Sequence, residues 1–166
     1  VLARNYEEAM DFYSRYSDNT LGVISDARFP VNGKKDAEAG LKLLRAIRAK
    51  DEYVPLIMES SESSNRQKAE AEGFKFVDKN SKKISVDLRN IIEEHMGFGD
   101  FIFRDPKTHA EIMRVHSLKE LQDNIFKIPD DSMLYHISRN HMSRWLSARA
   151  IFPVSAFLKN VTWHKL

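Results

Sequence analysis

Apolar residues along this chain fall into two alternating kinds of segment. Leu21-Gly22-Val23-Ile24-Ser25, Val54-Pro55-Leu56-Ile57-Met58 and Phe74-Lys75-Phe76-Val77 are short, nearly continuous runs. Their length and β-branched or aromatic content predict buried strands over residues 20–25, 54–58 and 74–77. Between them apolar positions recur at helical spacing. Asn5 reads as an N-cap, with Glu7 and Glu8 where the helix dipole favours acids and Ala9, Met10, Phe12, Tyr13 and Tyr16 on the apolar side. A second helix, capped by Asp36, carries Ala39, Leu43, Ala46 and Ile47; a third runs over residues 65–72 and ends at Gly73. A fourth covers residues 84–96, with Leu88, Ile91, Ile92 and His95 along one side. Val1-Leu2-Ala3 reads as the end of a strand, and the stretch from Phe29-Pro30 to Lys35 as a loop. Strands alternating with helices at this spacing predict βαβ units: adjacent parallel strands, right-handed crossovers and helices on both faces.

After Gly97 and Gly99 the pattern changes. Residues 100–104 and 111–115 read as two strands of a hairpin joined by Asp105-Pro106-Lys107-Thr108-His109. Ser117 and Glu120 form a capping box for a helix over residues 118–126, and one further helix is predicted from Asp130-Asp131-Ser132 to about Ile151. The chain thus divides into an α/β part, residues 1–96, and a small α+β extension, residues 97–166.

Composition narrows the function classes. Of 166 residues, 42% are hydrophobic and 30% charged, enough apolar mass for a core. The 26 basic and 24 acidic residues leave a net charge of +2, which gives no electrostatic case for nucleic acid or a membrane surface. Without cysteine, disulfides and thiolate chemistry are excluded. No apolar run approaches a membrane span and no signal peptide is visible, so a cytoplasmic location is expected.

In an open parallel sheet, chemistry gathers at the carboxyl ends of the strands. Asp26, Ser60 and Lys79 fall there. Such a trio suits phosphoryl transfer: the carboxylate attacks phosphorus, the hydroxyl donates to a phosphoryl oxygen, and the ammonium balances charge. Val23-Ile24-Ser25-Asp26-Ala27-Arg28-Phe29-Pro30 resembles the third strand and following loop of response-regulator receiver (CheY-like) domains. Val54 to Ser61 resembles their fourth strand, and Phe76-Val77-Asp78-Lys79 their fifth. The resemblance covers roughly residues 1–96. It implies a flavodoxin-like fold lacking its first strand and helix, a phosphoacceptor at Asp26, a switch hydroxyl at Ser60, an aromatic switch at Phe76 and a conserved-type lysine at Lys79. It further implies Mg2+ held by Asp26 and the Arg28 backbone carbonyl, and a phosphodonor kinase or phosphotransferase as partner.

Over the whole chain, Phe98-Gly99-Asp100-Phe101-Ile102-Phe103-Arg104 and the segment from Leu134 to Leu146 resemble a region ahead of the catalytic part of bacterial phosphoenolpyruvate synthase-like proteins. This implies a regulatory region, not itself an enzyme, acting on the catalytic region of the same polypeptide. The chain departs from the receiver pattern in a longer loop from Pro30 to Asp36, in Asn80 where proline follows the lysine, and in the family's first strand and its acidic pair. A missing central strand would leave Leu21 to Ser25 with open backbone groups, to be filled by preceding residues or a second copy, as in a homodimer; otherwise residues 1–19 pack elsewhere. A receiver fold that has lost phosphorylation and serves as an interaction domain is the alternative. A transcriptional regulator is a third, disfavoured by a tail that opens on a hairpin and carries no basic recognition helix.

The remaining candidates have plainer readings. His136 and His141, five apart on the one predicted helix, would sit about 140° apart and share no ligand face. His141 falls on a stripe with Leu134, Ile137, Trp145, Ala148 and Phe152, as a packing residue. Arg139, Arg144 and Arg149 read as a solvated cationic flank, and Trp145 and Trp163 as core.

Overall fold

The structure is a computed structural model that describes residues 1–160; Trp163 lies outside the described residues. Contacts divide the chain into two compact units, Val1–Arg89 and Asn90–Leu166, so the division falls within the fourth helix, a little before the position read from Gly97.

The N-terminal unit is α/β. Strands β1 (Val23–Asp26), β4 (Leu56–Ser60) and β5 (Lys75–Asp78) form a parallel sheet in the order β1-β4-β5. Register pairs Ile24 with Ile57 and Asp26 with Glu59, then Met58 with Phe76 and Ser60 with Asp78. Helices α1 (Tyr6–Tyr16), α2 (Ala39–Arg48) and α3 (Ser64–Ala71) share one apolar cluster, in which Tyr13, Leu44, Ile47 and Ala69 meet Leu56, Met58 and Phe76. The opposite face of the sheet carries Ile24, Ile57 and Val77, of which Ile57 and Val77 are buried. The cluster places these three helices against one face, and the burial of Ile57 and Val77 shows that the other face is covered as well. Local signals act as read: the Asn5 side chain accepts from the Glu8 N–H at 2.8 Å, and Gly73 ends α3 at φ +74° with Phe74 N–H reaching the Ala69 carbonyl.

Two sequence readings are corrected here. Val1-Leu2-Ala3 is not a strand; Val1 and Leu2 are exposed, because β1 pairs with β4 alone and offers this segment no ladder. The stretch after Phe29 is not an open loop but a hairpin, β2 (Phe29–Val31) with β3 (Lys34–Asp36). Asn32 and Gly33 turn it at φ 50° and 73°, the two positive values that a two-residue hairpin of matching twist demands. Asn-Gly was the available signal. As an edge strand, β1 leaves Ile24 exposed, and α1 packs against α2.

The C-terminal unit joins a hairpin to short helices. Strands β6 (Phe101–Arg104) and β7 (Glu111–Val115) pair antiparallel, with a bulge between Phe103 and Arg104. Helix α5 (Leu118–Asn124) is capped by Ser117, whose Oγ accepts from Glu120 N–H at 3.1 Å. The helix predicted from residue 130 to 151 is instead broken: α6 (Asp130–Ser138), α7 (His141–Ser147) and α8 (Phe152–Asn160) are separated by left-handed residues, Asn140 at φ 59° and Ala150 at φ 60°. Asn tolerates that conformation, which is why the break falls there. The supposed stripe dissolves with it: Leu134 and Phe152 are exposed, while Trp145 is fully buried and donates from Nε1 to the Gly99 carbonyl at 3.0 Å. Arg149 is no solvated flank either, since its guanidinium stacks on Trp145 at 3.7 Å and donates to the Gly97 and Gly99 carbonyls. Helix α4 (Ile84–His95) presents Leu88, Ile91, Ile92 and His95 half-buried, as its spacing predicts.

Gly40 fixes how closely α2 approaches the end of β1. Its N–H donates to the Ala27 carbonyl at 3.0 Å, and a Cβ there would lie 2.2 Å from the Asp26 carbonyl oxygen and 2.9 Å from the Ala27 Cα. Both are backbone atoms and cannot rotate away. Gly40→Ala is expected to destabilise the N-terminal unit by about 1–3 kcal/mol through overpacking. Urea unfolding followed by circular dichroism measures it; an unchanged midpoint contradicts the close approach.

Candidate functional site

The site is built where the three parallel strands end. Ladder bonds run one residue past the strands: Ala27 N–H donates to the Glu59 carbonyl at 3.1 Å, and Lys79 N–H to the Ser60 carbonyl at 3.0 Å. These bonds clamp the backbone at Asp26, Ser60 and Lys79. The Lys79 Nζ forms an ion pair with Asp26 Oδ1, so the structure brings these two residues together. The Asp26 side chain is 54% exposed and that of Lys79 35%. An ion pair so open to water is worth about 0–1 kcal/mol, too little to be what holds the sheet together.

Strand parity explains where the third residue goes. Side chains alternate between faces, so Ser60 shares the face of Leu56 and Met58, whereas Asp26 and Lys79 fall on the face of Ile57 and Val77. Ser60 is buried, and its Oγ accepts from Asn65 Nδ2 at 2.9 Å and from Glu62 N–H at 3.1 Å. It braces its own loop and does not join the Asp26–Lys79 pair. Phe76 lies in the helical cluster with the Arg66 guanidinium 4.7 Å from its ring centroid.

Further side chains belong to this edge, and among them sequence reading gave no role to Glu59 or Glu62. Glu59 pairs in register with Asp26, which puts a second carboxylate beside it. Arg28 ion-pairs with Glu62, joining the loops that follow β1 and β4. Asn80 Nδ2 donates to the Ser61 carbonyl at 2.8 Å, a bond that proline at this position could not make. Among the described residues no group of three His, Cys, Asp or Glu is placed to hold a metal ion. Comparisons with protein-family models, curated proteins and solved structures find no match to the chain. No helix among the described residues is long and apolar enough to cross a membrane.

The C-terminal unit holds a second polar cluster. Because the helix breaks at Asn140, His136 and His141 meet, Nδ1 to Nδ1, at 3.0 Å. They are partners, contrary to the separation a single helix would impose. His136 is buried among Phe101, Phe103 and Tyr135, and its Nε2 accepts the Arg104 N–H at 2.9 Å. Burial first, then the Arg104 and Arg139 charges, lowers its pKa from 6.5 to about 4. Burial, then Arg144, His136, Arg139 and His95, lowers that of His141 to about 3.

Both shifts have one consequence for stability. The folded imidazoles bind protons only well below 6.5, whereas the unfolded chain binds them as pH falls through that value. Stability is therefore full above about pH 6.5 and is lost as pH falls toward 4. The loss belongs to the two histidines together, since each imidazole is the other's hydrogen-bond partner. Urea unfolding read by tryptophan fluorescence should show the midpoint dropping over this window. A midpoint flat from pH 7 to 4.5 contradicts the neutral pair.

Proposed function

We propose that the N-terminal unit is a receiver-type regulatory module of flavodoxin-like fold, phosphorylated on Asp26, within a cytoplasmic phosphotransferase of the phosphoenolpyruvate synthase-like kind. The observation that carries this reading is the Asp26–Lys79 ion pair at the carboxyl edge of the parallel sheet, more than half exposed on the carboxylate side. Lys79 engages Oδ1, and Oδ2 has no partner among the described residues. A carboxylate oxygen attacks the phosphorus of a phosphodonor, the donor's bond to phosphorus breaks, and its leaving group departs with the bonding electrons. Lys79 then pairs with the new phosphoryl oxygens instead of the carboxylate. The open edge of β1 is the place where a further strand, from this polypeptide or a second copy, would pair.

Incubation with phosphoramidate and Mg2+ should add one phosphoryl group by intact mass, and Asp26→Asn should abolish it. Lys79→Met should leave stability within about 1 kcal/mol of the parent, because the exposed pair contributes no more. A phosphoryl group that persists in Asp26→Asn rules out Asp26 as acceptor. The engagement of Ser60 by Asn65 and Glu62 favours a second reading, an interaction module that keeps the fold without phosphorylation. Unchanged mass of the parent under these conditions selects it.

A further inference from the structure

We propose that the turn of the β2–β3 hairpin is a site of spontaneous covalent modification, at which Asn32 loses its side-chain amide, becomes aspartate or isoaspartate, and loosens the hairpin from α1. The reaction is independent of the chemistry at Asp26. Asn32-Gly33 is the one Asn-Gly step in the sequence. Glycine matters because it carries no Cβ to shield its own nitrogen, which leaves an unhindered nucleophile next to the Asn32 amide. Both residues are exposed at the tip of a hairpin whose strands, Phe29–Val31 and Lys34–Asp36, are three residues each. Exposed tips of such short strands open locally with little loss of contact. Opening lets the turn leave its left-handed conformation and brings the Gly33 nitrogen onto the Asn32 Cγ.

Water is the only co-reactant the step needs. The Gly33 N–H loses its proton to solvent base, and the nitrogen forms a bond to the Asn32 Cγ. The Cγ–Nδ2 bond breaks, and Nδ2 takes up a proton and leaves as ammonia. Water then opens the five-membered imide at either carbonyl. Opening at Cγ gives aspartate. Opening at the main-chain carbonyl gives isoaspartate, whose backbone runs through the side chain and gains a methylene.

Hydrogen bonding separates this step from comparable ones. None engages the Gly33 N–H among the described residues. At Asn80-Ser81 the attacking nitrogen is held, since Ser81 N–H donates to the Asp78 carbonyl at 3.0 Å, and Asn80 Nδ2 donates to the Ser61 carbonyl at 2.8 Å. At Asn19-Thr20 the Thr20 N–H donates to the Ser17 carbonyl at 3.2 Å. The product changes a specific contact. Asn32 N–H donates to Glu7 Oε1 at 2.8 Å, which ties the hairpin to α1. A new carboxylate on residue 32 repels that of Glu7, and the added methylene of isoaspartate no longer fits a two-residue turn.

The test incubates the full chain at mildly alkaline pH and follows each asparagine by peptide mapping, with isoaspartate read by an isoaspartate methyltransferase. The expected result is conversion at Asn32 several-fold faster than at Asn80 or Asn19, with aspartate and isoaspartate both formed. Gly33→Ala, whose Cβ would meet no neighbouring atom, should slow it several-fold. Because alanine is strained at that positive φ, Asn32→Gln, which would need a six-membered imide, provides a second variant and should abolish it. The converted fraction, separated on ion exchange by its added negative charge, should be cut by trypsin in the exposed Lys34-Lys35 segment several-fold faster than the parent. An amide at Asn32 that persists as long as that of Asn80, conversion seen only in urea, or trypsin cleavage at the parental rate overturns the proposal.

Discussion

Parallel pairing of β1, β4 and β5 is the constraint from which the N-terminal unit follows. Parallel strands need crossovers, and these crossovers bring α2 and α3 back over the sheet. Every strand then ends at the same edge, so the residues just past each strand become neighbours although 53 positions separate Asp26 from Lys79. The approach of α2 is limited only by Gly40, whose missing side chain lets the helix begin against the Asp26 and Ala27 backbone. Position, not local sequence, makes this edge chemical. A lone aspartate in a turn would do nothing comparable.

The C-terminal unit depends on a different device, a polar pair inside an aromatic core. Phe101, Phe103, Trp145 and Tyr135 surround His136 or its neighbours, and burying an imidazole there is tolerable only if its nitrogens are occupied. One is taken by the Arg104 N–H and the other by His141. The bulge after Phe103 and the left-handed Asn140 are what bring these partners into range. The pair thus ties the hairpin to both helices flanking the break.

Sequence pattern made the strand–helix alternation legible because each segment here follows its own periodicity. The three strands lie within three residues of their predicted ends, and capping residues at Asn5, Ser117 and Gly73 act as their chemistry dictates. The errors share a cause: a single backbone residue outranking a longer pattern. Asn32-Gly33 makes a hairpin from a stretch whose Pro30 reads as a loop. Asn140 and Ala150 break a helix whose apolar positions continue across both sites. That second error displaced the histidines, since 140° of separation holds only on an unbroken helix.

At the site, identity was legible but direction was not. Asp26, Ser60 and Lys79 were each placed at a strand end, yet a strand end has two faces. Counting parity back from Met58 puts Ser60 on the helix side, and counting from Ile24 puts Asp26 on the other. The energetic contrast follows from that difference. Ser60 is buried and its oxygen must be satisfied, so Asn65 and Glu62 hold it and give α3 its starting point. Asp26 and Lys79 are wet, and their attraction is too weak to resist a better ligand for either. A phosphoryl oxygen bearing formal charge is such a ligand for Lys79, and forming one on Asp26 removes the carboxylate charge that Lys79 now neutralises. On the proposed reading, the weakness of the pair is what would leave the lysine able to change partners without disturbing the fold beneath it.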